Sequence, residues 1–194
     1  MRLPSLAFLL VLAALGFTPA ISHAADGRWS IGSNLGVSFI SPDDGAHVTT
    51  WSLPGTVGGL LPGLRVGRKL AHPNAEAFFD GGLLYSTSEG AHQSGLALTA
   101  NYQWNFSPDA PWTPFLDLGL GLAHNTYDSG PVTSSGTSLR LGAGAGARRK
   151  LGDSGTLRAG VRWDHDSRAT DGAVVVNPGG SVITIKAGFD LWLK

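Results

Sequence analysis

His165-Asp166-Ser167 is the one triplet in this chain with the residue types of nucleophilic catalysis. A histidine can act as general base for a serine that attacks an ester, provided a third group orients the ring. The stretch 169–184 contains no Glu and, among acids, only Asp171, so no orienting acid follows the triplet at short range. The alternative reading is a His and a Ser in an exposed loop. His47, His72, His92 and His124 share no ligand spacing, and with no cysteine in the chain there is no thiolate metal site, disulfide or cysteine nucleophile. Asp43-Asp44 has no further carboxylates close by to build a calcium site and reads as a turn. Gly119-x-Gly121 and the glycines of 142–146 precede no helix and no Gly-Lys-Ser/Thr, so they are not phosphate loops. No cofactor is expected.

The elements that position these residues are strands. After residue 25 the hydrophobic period is two, not 3.6. In 95–106, Leu96, Leu98, Ala100, Tyr102, Trp104 and Phe106 alternate with Gly95, Ala97, Thr99, Asn101, Gln103 and Asn105. The same alternation defines 28–40, 60–70, 75–86, 114–124, 138–149, 156–166 and 182–193, giving eight segments of about the length a tilted transmembrane strand needs, 9–11 residues. Connections at 71–74, 107–113 and 150–155 are short and contain turn formers; those at 41–59, 87–94, 125–137 and 167–181 are mostly longer and rich in Gly, Ser, Thr and Asp. This arrangement predicts an all-β fold, an eight-stranded antiparallel up-and-down transmembrane barrel with both ends of the barrel domain on the short-turn side.

Residues 1–24 read as a secretory signal peptide. Arg2 precedes the uncharged run 6–17, and Ser22-His23-Ala24 supplies small residues at −3 and −1. The run is too short to span a bilayer as a helix. Cleavage is expected after Ala24, leaving 25–194 as one barrel domain.

Glycine occurs 28 times in 194 residues, and only 14% of residues are charged, against about 25% in a typical soluble domain. A net charge of zero gives no electrostatic case for nucleic acid. Thirteen strand glycines share the polar face: Gly32, Gly36, Gly63, Gly67, Gly82, Gly95, Gly119, Gly121, Gly142, Gly144, Gly146, Gly160 and Gly188; Gly81 lies opposite. The same face carries Arg65, Lys69, Glu76, Asp80, Asp117, Arg140, Arg148, Arg158, Arg162, Asp164, Lys186 and Asp190. An eight-stranded barrel is just wide enough to be filled by side chains. Glycines would make room for long charged side chains, so the polar face is expected to look inward. The charges should then form a salt-bridge network that plugs the interior and leaves no wide pore. Outward-facing Arg68 and Arg149 lie close to short turns, where a cation can snorkel to headgroups. Trp29, Tyr102, Trp104 and Phe106 mark one aromatic girdle, and Phe39, Tyr85 and Trp163 the other.

The chain resembles the small outer-membrane β-barrel proteins of the OmpA/OmpX type. Its last strand, Lys186-Ala187-Gly188-Phe189-Asp190-Leu191-Trp192-Leu193, matches the terminal pattern that the barrel-assembly machinery reads in that family: polar, any, Gly, any, any, apolar, any, apolar. Lys186, Gly188, Leu191 and Leu193 are the matching positions. Lys194 follows where that family usually ends on an aromatic. The resemblance implies a bacterial outer-membrane location, contact with outer-membrane lipid and lipopolysaccharide, and a non-enzymatic structural or interaction role through four surface loops, with an unidentified surface ligand. The lipid A deacylases are similar at His165-x-Ser167, a His-x-Ser pair on the lipid face late in an eight-stranded barrel. Arg168 stands where that family has Asn, and its orienting Glu is missing. A deacylase-like enzyme and a soluble periplasmic lipocalin-like carrier are the two alternatives.

Overall fold

A computed structural model describes residues 29–45, 47–52, 63–88 and 90–193. The signal-peptide reading of 1–24 lies outside the described residues. Among the described residues eleven strands run in chain order: β1 (Trp29–Pro42), β2 (Val48–Ser52), β3 (Leu64–Lys69), β4 (Ala75–Ser88), β5 (Ala91–Asn105), β6 (Trp112–Asp128), β7 (Thr133–Leu151), β8 (Gly155–Asp166), β9 (Ala169–Asp171), β10 (Val174–Asn177) and β11 (Gly180–Leu193). The ring order is β1-β3-β4-β5-β6-β7-β8-β11, and β11 returns to β1 in an antiparallel ladder from Trp29↔Leu193 to Pro42↔Gly180. Every pairing is antiparallel, so the sheet is closed and up-and-down. Closure removes the sheet edges, which is what allows strands to sit in hydrocarbon.

The faces are inverted relative to a water-soluble core. Leu118 is 66% exposed, while Gln103 is 0% exposed. Along β5, Gly95, Ala97, Thr99, Asn101, Gln103 and Asn105 are buried, and the residues between them are half-buried or exposed. Leu83, Leu116, Leu141, Val161 and Ile185 complete an outer apolar surface. An apolar surface of that extent is stable against lipid rather than water. This rules against the soluble lipocalin-like carrier, which would put its apolar face inside.

The strands differ from the expected limits mainly at the loop end. β4 and β5 pair out to Ser88↔Ala91, and β6 and β7 out to Asp128↔Thr133. The expected loops 87–94 and 125–137 are therefore largely ladder. Their Ser, Thr and Asn content reads as loop, but an antiparallel ladder tolerates water on its faces and continues past the apolar band. Val48–Ser52, also expected as loop, pairs with the upper half of β1, while Leu64–Lys69 pairs with its lower half. Within the expected loop 167–181, β9 and β10 form a separate two-stranded hairpin.

At the turn end the connections are tight. Gly152 has φ +65°, a conformation a Cβ disfavours, and opens the reversal between β7 and β8. Asn74 and Asn105 side-chain amides donate to each other's backbone carbonyls at 2.8 and 3.1 Å, tying one turn to the next strand. Arg68 lies over the Trp29 ring at 5.2 Å and Arg149 over Trp112 at 5.5 Å. These cation–aromatic pairs stand on the outer face beside the turns.

Leu120 is half-way along β6 on the outer face. Leu120→Arg should destabilise the folded barrel by about 2–4 kcal/mol, the cost of a cation at the bilayer midplane. The check is the urea midpoint of refolding into vesicles, read by the mobility difference between boiled and unboiled samples.

Candidate functional site: the barrel interior and its loop-end mouth

The interior follows from parity plus closure. Even-numbered positions of β1, β4, β7, β8 and β11 and odd-numbered positions of β3, β5 and β6 point inward within the membrane band. Glycines on that inner wall act as notches. A Cβ at Gly144 would lie 2.7 Å from an Asp117 carboxylate oxygen, and one at Gly67 would lie 2.7 Å from Ser30 Oγ. The side chains of Asp164 and Arg162 press on Gly142 in the same way, and those of Asn34 and Arg158 on Gly188. Small wall residues thus give the charged side chains the space to cross the lumen.

Two charge clusters result. Near the turn end, Glu76 accepts from Arg65 at 2.8 Å and from Arg148 at 2.7 Å. Asp190 is held by Arg158 through two hydrogen bonds and lies 3.6 Å from Arg65. Arg65 also donates to Gln103 at 3.2 Å, and Gln103 donates to Asn105 at 2.6 Å. Nearer the loop end, Arg162 bridges Asp117 and Asp164. Lys186 faces Asp80 at 3.7 Å, and Arg140 grips Asp166 with two bonds of 2.7 and 2.6 Å. Arg65, Arg140, Arg148, Arg158, Arg162 and Lys186 thus meet Glu76, Asp80, Asp117, Asp164, Asp166 and Asp190, six of each sign. Burying an ion is costly unless a partner and hydrogen bonds offset the lost water. The matched count supplies the partners, while Arg65 Nε, Arg148 Nε and Arg162 Nη2 are buried without a hydrogen bond among the described residues.

Lys69 is not part of this network. It is exposed at the turn end, with Nζ 4.4 Å from the centre of the Trp192 ring. Its position as the last residue of β3 lets the chain reach solvent. Asp166, which the sequence presents as the middle of a catalytic-looking triplet, is an interior acid, 8% exposed. It shares parity with Asp164, which is the signal that could have found it. Among the described residues three aromatics are also interior: Phe78, Phe115 and Trp192. Phe78 carries the Arg65 guanidinium 3.4 Å above its ring, and the Trp192 indole donates to Thr156 at 2.9 Å. Together they fill the turn-end half with apolar bulk. Their parity also matches the polar face.

The triplet's other members do not form a nucleophile and base. His165 Nδ1 lies 3.4 Å from Ser181 Oγ, and its ring stacks beside Trp163. The Ser167 hydroxyl instead accepts the Leu139 backbone N–H at 2.9 Å. His92 and His124 bond to Thr87 and Thr137, each at 2.9 Å, and His72 lies against Trp104. No group of three potential metal ligands occurs among the described residues.

The interior holds small spaces. One of about 100 Å³ is lined by Asn34, Asp80, Thr99, Arg162, Asp164 and Lys186, among others. A second, about 200 Å³, lies at the mouth beneath Val176, Asn177 and Pro178 of the β9–β10 segment. A third, about 50 Å³, sits at the turn end beside Trp192. The β9–β10 hairpin packs over the inner side of β7. Asn177 donates to Ser138 Oγ at 2.7 Å, and a Cβ on Gly136 would be 3.1 Å from both Ala169 and Val176. An exposed Arg168–Asp44 pair at 3.0 Å joins this segment to the chain after β1.

Comparison with known proteins yields one family match and a set of structural neighbours. The model of the family described as "Outer membrane protein beta-barrel domain" matches residues 7–189. Neisserial surface protein A, NspA, superposes with a TM-score of 0.64 at 17% identity, covering 86% of this chain and 97% of its own. Ail, the attachment invasion locus protein of Yersinia pestis, superposes with a TM-score of 0.54 at 14% identity, covering 85% and 99%. A second Ail structure, in complex with the heparin analogue sucrose octasulfate, gives 0.54 at 13% identity, covering 84% and 98%. At these identities the likeness is one of fold. No curated protein matches the sequence.

Glu76→Gln should cost about 3–5 kcal/mol of folding stability, because Arg65 and Arg148 then lose a shared buried anion. Gly144→Trp should prevent assembly by driving a large side chain into Asp117. Urea titration and the yield of the compact, unboiled gel species report the two effects.

Proposed function

Because the chain belongs to the outer membrane protein β-barrel domain family, we propose that it is a non-enzymatic integral barrel of the outer membrane, acting through its loop-end surface. The observation that carries this is the state of the interior. Most of its charges are taken up in close ion pairs and shared bridges, its turn-end half is filled by Phe78, Phe115 and Trp192, and its cavities are of solvent or small-molecule size. Such an interior is a plug that holds the strands in register. It leaves recognition of macromolecular partners to the ends of the β4–β5 and β6–β7 ladders and to the β9–β10 hairpin. In this reading Lys186, Gly188, Leu191 and Leu193 present the assembly signal to the barrel-assembly machinery, and 1–24 directs export and is removed.

The chemistry of the loop end narrows the partner. Asp43, Asp44, Asp128 and Asp171 stand there with Arg168 among the described residues. An acidic rim suits a basic or neutral partner, or one bridged by divalent cations between lipopolysaccharide phosphates, better than a sulfated polyanion of the kind seen with Ail.

The protein should fractionate with the outer membrane, migrate differently before and after boiling, and have an intact mass beginning at Ala25. A soluble, heat-insensitive chain would contradict the proposal. Lipid A from cells with and without the protein should have the same mass spectrum. An acyl chain lost only while His165 and Ser167 are intact would establish the deacylase alternative instead.

A further inference from the structure

We propose that the loop-end half of the lumen is a binding site for a small zwitterion with a short alkyl group, of the size and chemistry of an apolar α-amino acid. The site goes beyond the surface role above and stands on the two loop-end cavities. They share Ile40, Ala97, Arg140 and Val182 in their walls and so stack one over the other along the barrel. The upper one, about 200 Å³, is walled by an apolar arc of Ile40, Pro42, Ala123, Val176 and Val182, with Gln93, Asn125, Asn177 and the Arg140–Asp166 pair completing its lining. The lower one, about 100 Å³, is floored by charges. A cavity of roughly 150 Å³ accepts a benzene-sized apolar group, so the arc holds a branched alkyl side chain.

The floor selects the head group. Every other acid of the interior network has a cationic contact at 2.8 Å or closer. Asp80 is the exception. Lys186 stands 3.7 Å away, beyond hydrogen-bond range, and the Asn34 amide reaches Asp80 only at 3.4 Å. Both charges line the lower cavity, and Lys186 is 9% exposed. Opposite charges held apart at the floor of a space, Lys186 buried and Asp80 half-buried, form a slot with one anionic and one cationic side. A carboxylate against Lys186 and an ammonium against Asp80 complete both with hydrogen bonds and leave the sixfold balance of the lumen unchanged. A simple carboxylate or a simple amine satisfies one side only and adds an unmatched buried charge.

The test is calorimetric titration of the full-length mature protein, refolded in detergent micelles, with leucine as the probe. 4-Methylpentanoate and 3-methylbutylamine keep the alkyl group and lack one charge. Leucine should bind saturably, and each single-charge probe at least tenfold more weakly. Asp80→Asn should bring leucine and 4-methylpentanoate to within a few-fold of each other. Val176→Trp, placed in the hairpin outside the membrane band, should fill the upper cavity and abolish leucine binding in a barrel that still shows the compact gel mobility. Absence of saturable leucine binding up to its solubility, equal binding of the three probes, or unchanged binding in Val176→Trp would each overturn the proposal.

Discussion

The narrowness of an eight-stranded ring is the constraint from which the rest of this molecule follows. Closing eight strands leaves a lumen about as wide as side chains are long. Charges placed there cannot be hydrated freely, so each must find a counter-charge on the inner wall. Arg148 of β7 reaches Glu76 of β4 over a sequence separation of 72 residues, and Arg162 of β8 reaches Asp117 of β6 past Gly144 on the strand between them. The Arg65–Asp190 and Lys186–Asp80 contacts span the β1–β11 seam and exist only when the ring is closed. They therefore reward correct closure and the correct register: a one-residue slip would send every charge of the slipped strand to the lipid face.

The outer face obeys the complementary rule. Hydrocarbon accepts Leu, Ile, Val and aromatic side chains without cost and penalises any unpaired backbone group, which the closed ladder removes. Few charges and many glycines are then two aspects of one design. The exterior needs no charged solubilising surface, and the interior wall needs gaps. The cations allowed outside, Arg68 and Arg149, sit beside turns and against Trp29 and Trp112, where the guanidinium can reach headgroups.

Much of this is legible in the sequence because period-two alternation is local. Parity along 95–106 sorts Leu96 from Thr99 without any knowledge of the fold. What parity leaves open is set by closure. Nothing local says that Glu76 serves two arginines, or that Asp80 is left with a long contact to Lys186. Asp166 is obscured by its neighbours, which suggest catalysis until the pairing with Arg140 is visible. Phe78, Phe115 and Trp192 sit on a face that the polar residues define, so their role as interior filling is masked by composition. The ladders above the membrane are hidden for a related reason: Ser, Thr and Gly read as loop, although cross-strand pairing alone sustains Asp128↔Thr133. The β9–β10 hairpin, with strands of three and four residues, is too short to register as period two.

The account rests on the interior charges being coupled to one another rather than placed there independently. A double-mutant cycle on Asp117 and Arg162, with Asp117→Asn, Arg162→Met and the double variant unfolded in urea, measures that coupling directly. The account predicts that each single change is costly and that the double variant loses clearly less than the sum of the two, since Asp117 is then no longer left as an orphaned charge and only Asp164 loses its arginine. Simple additivity of the two losses would contradict it.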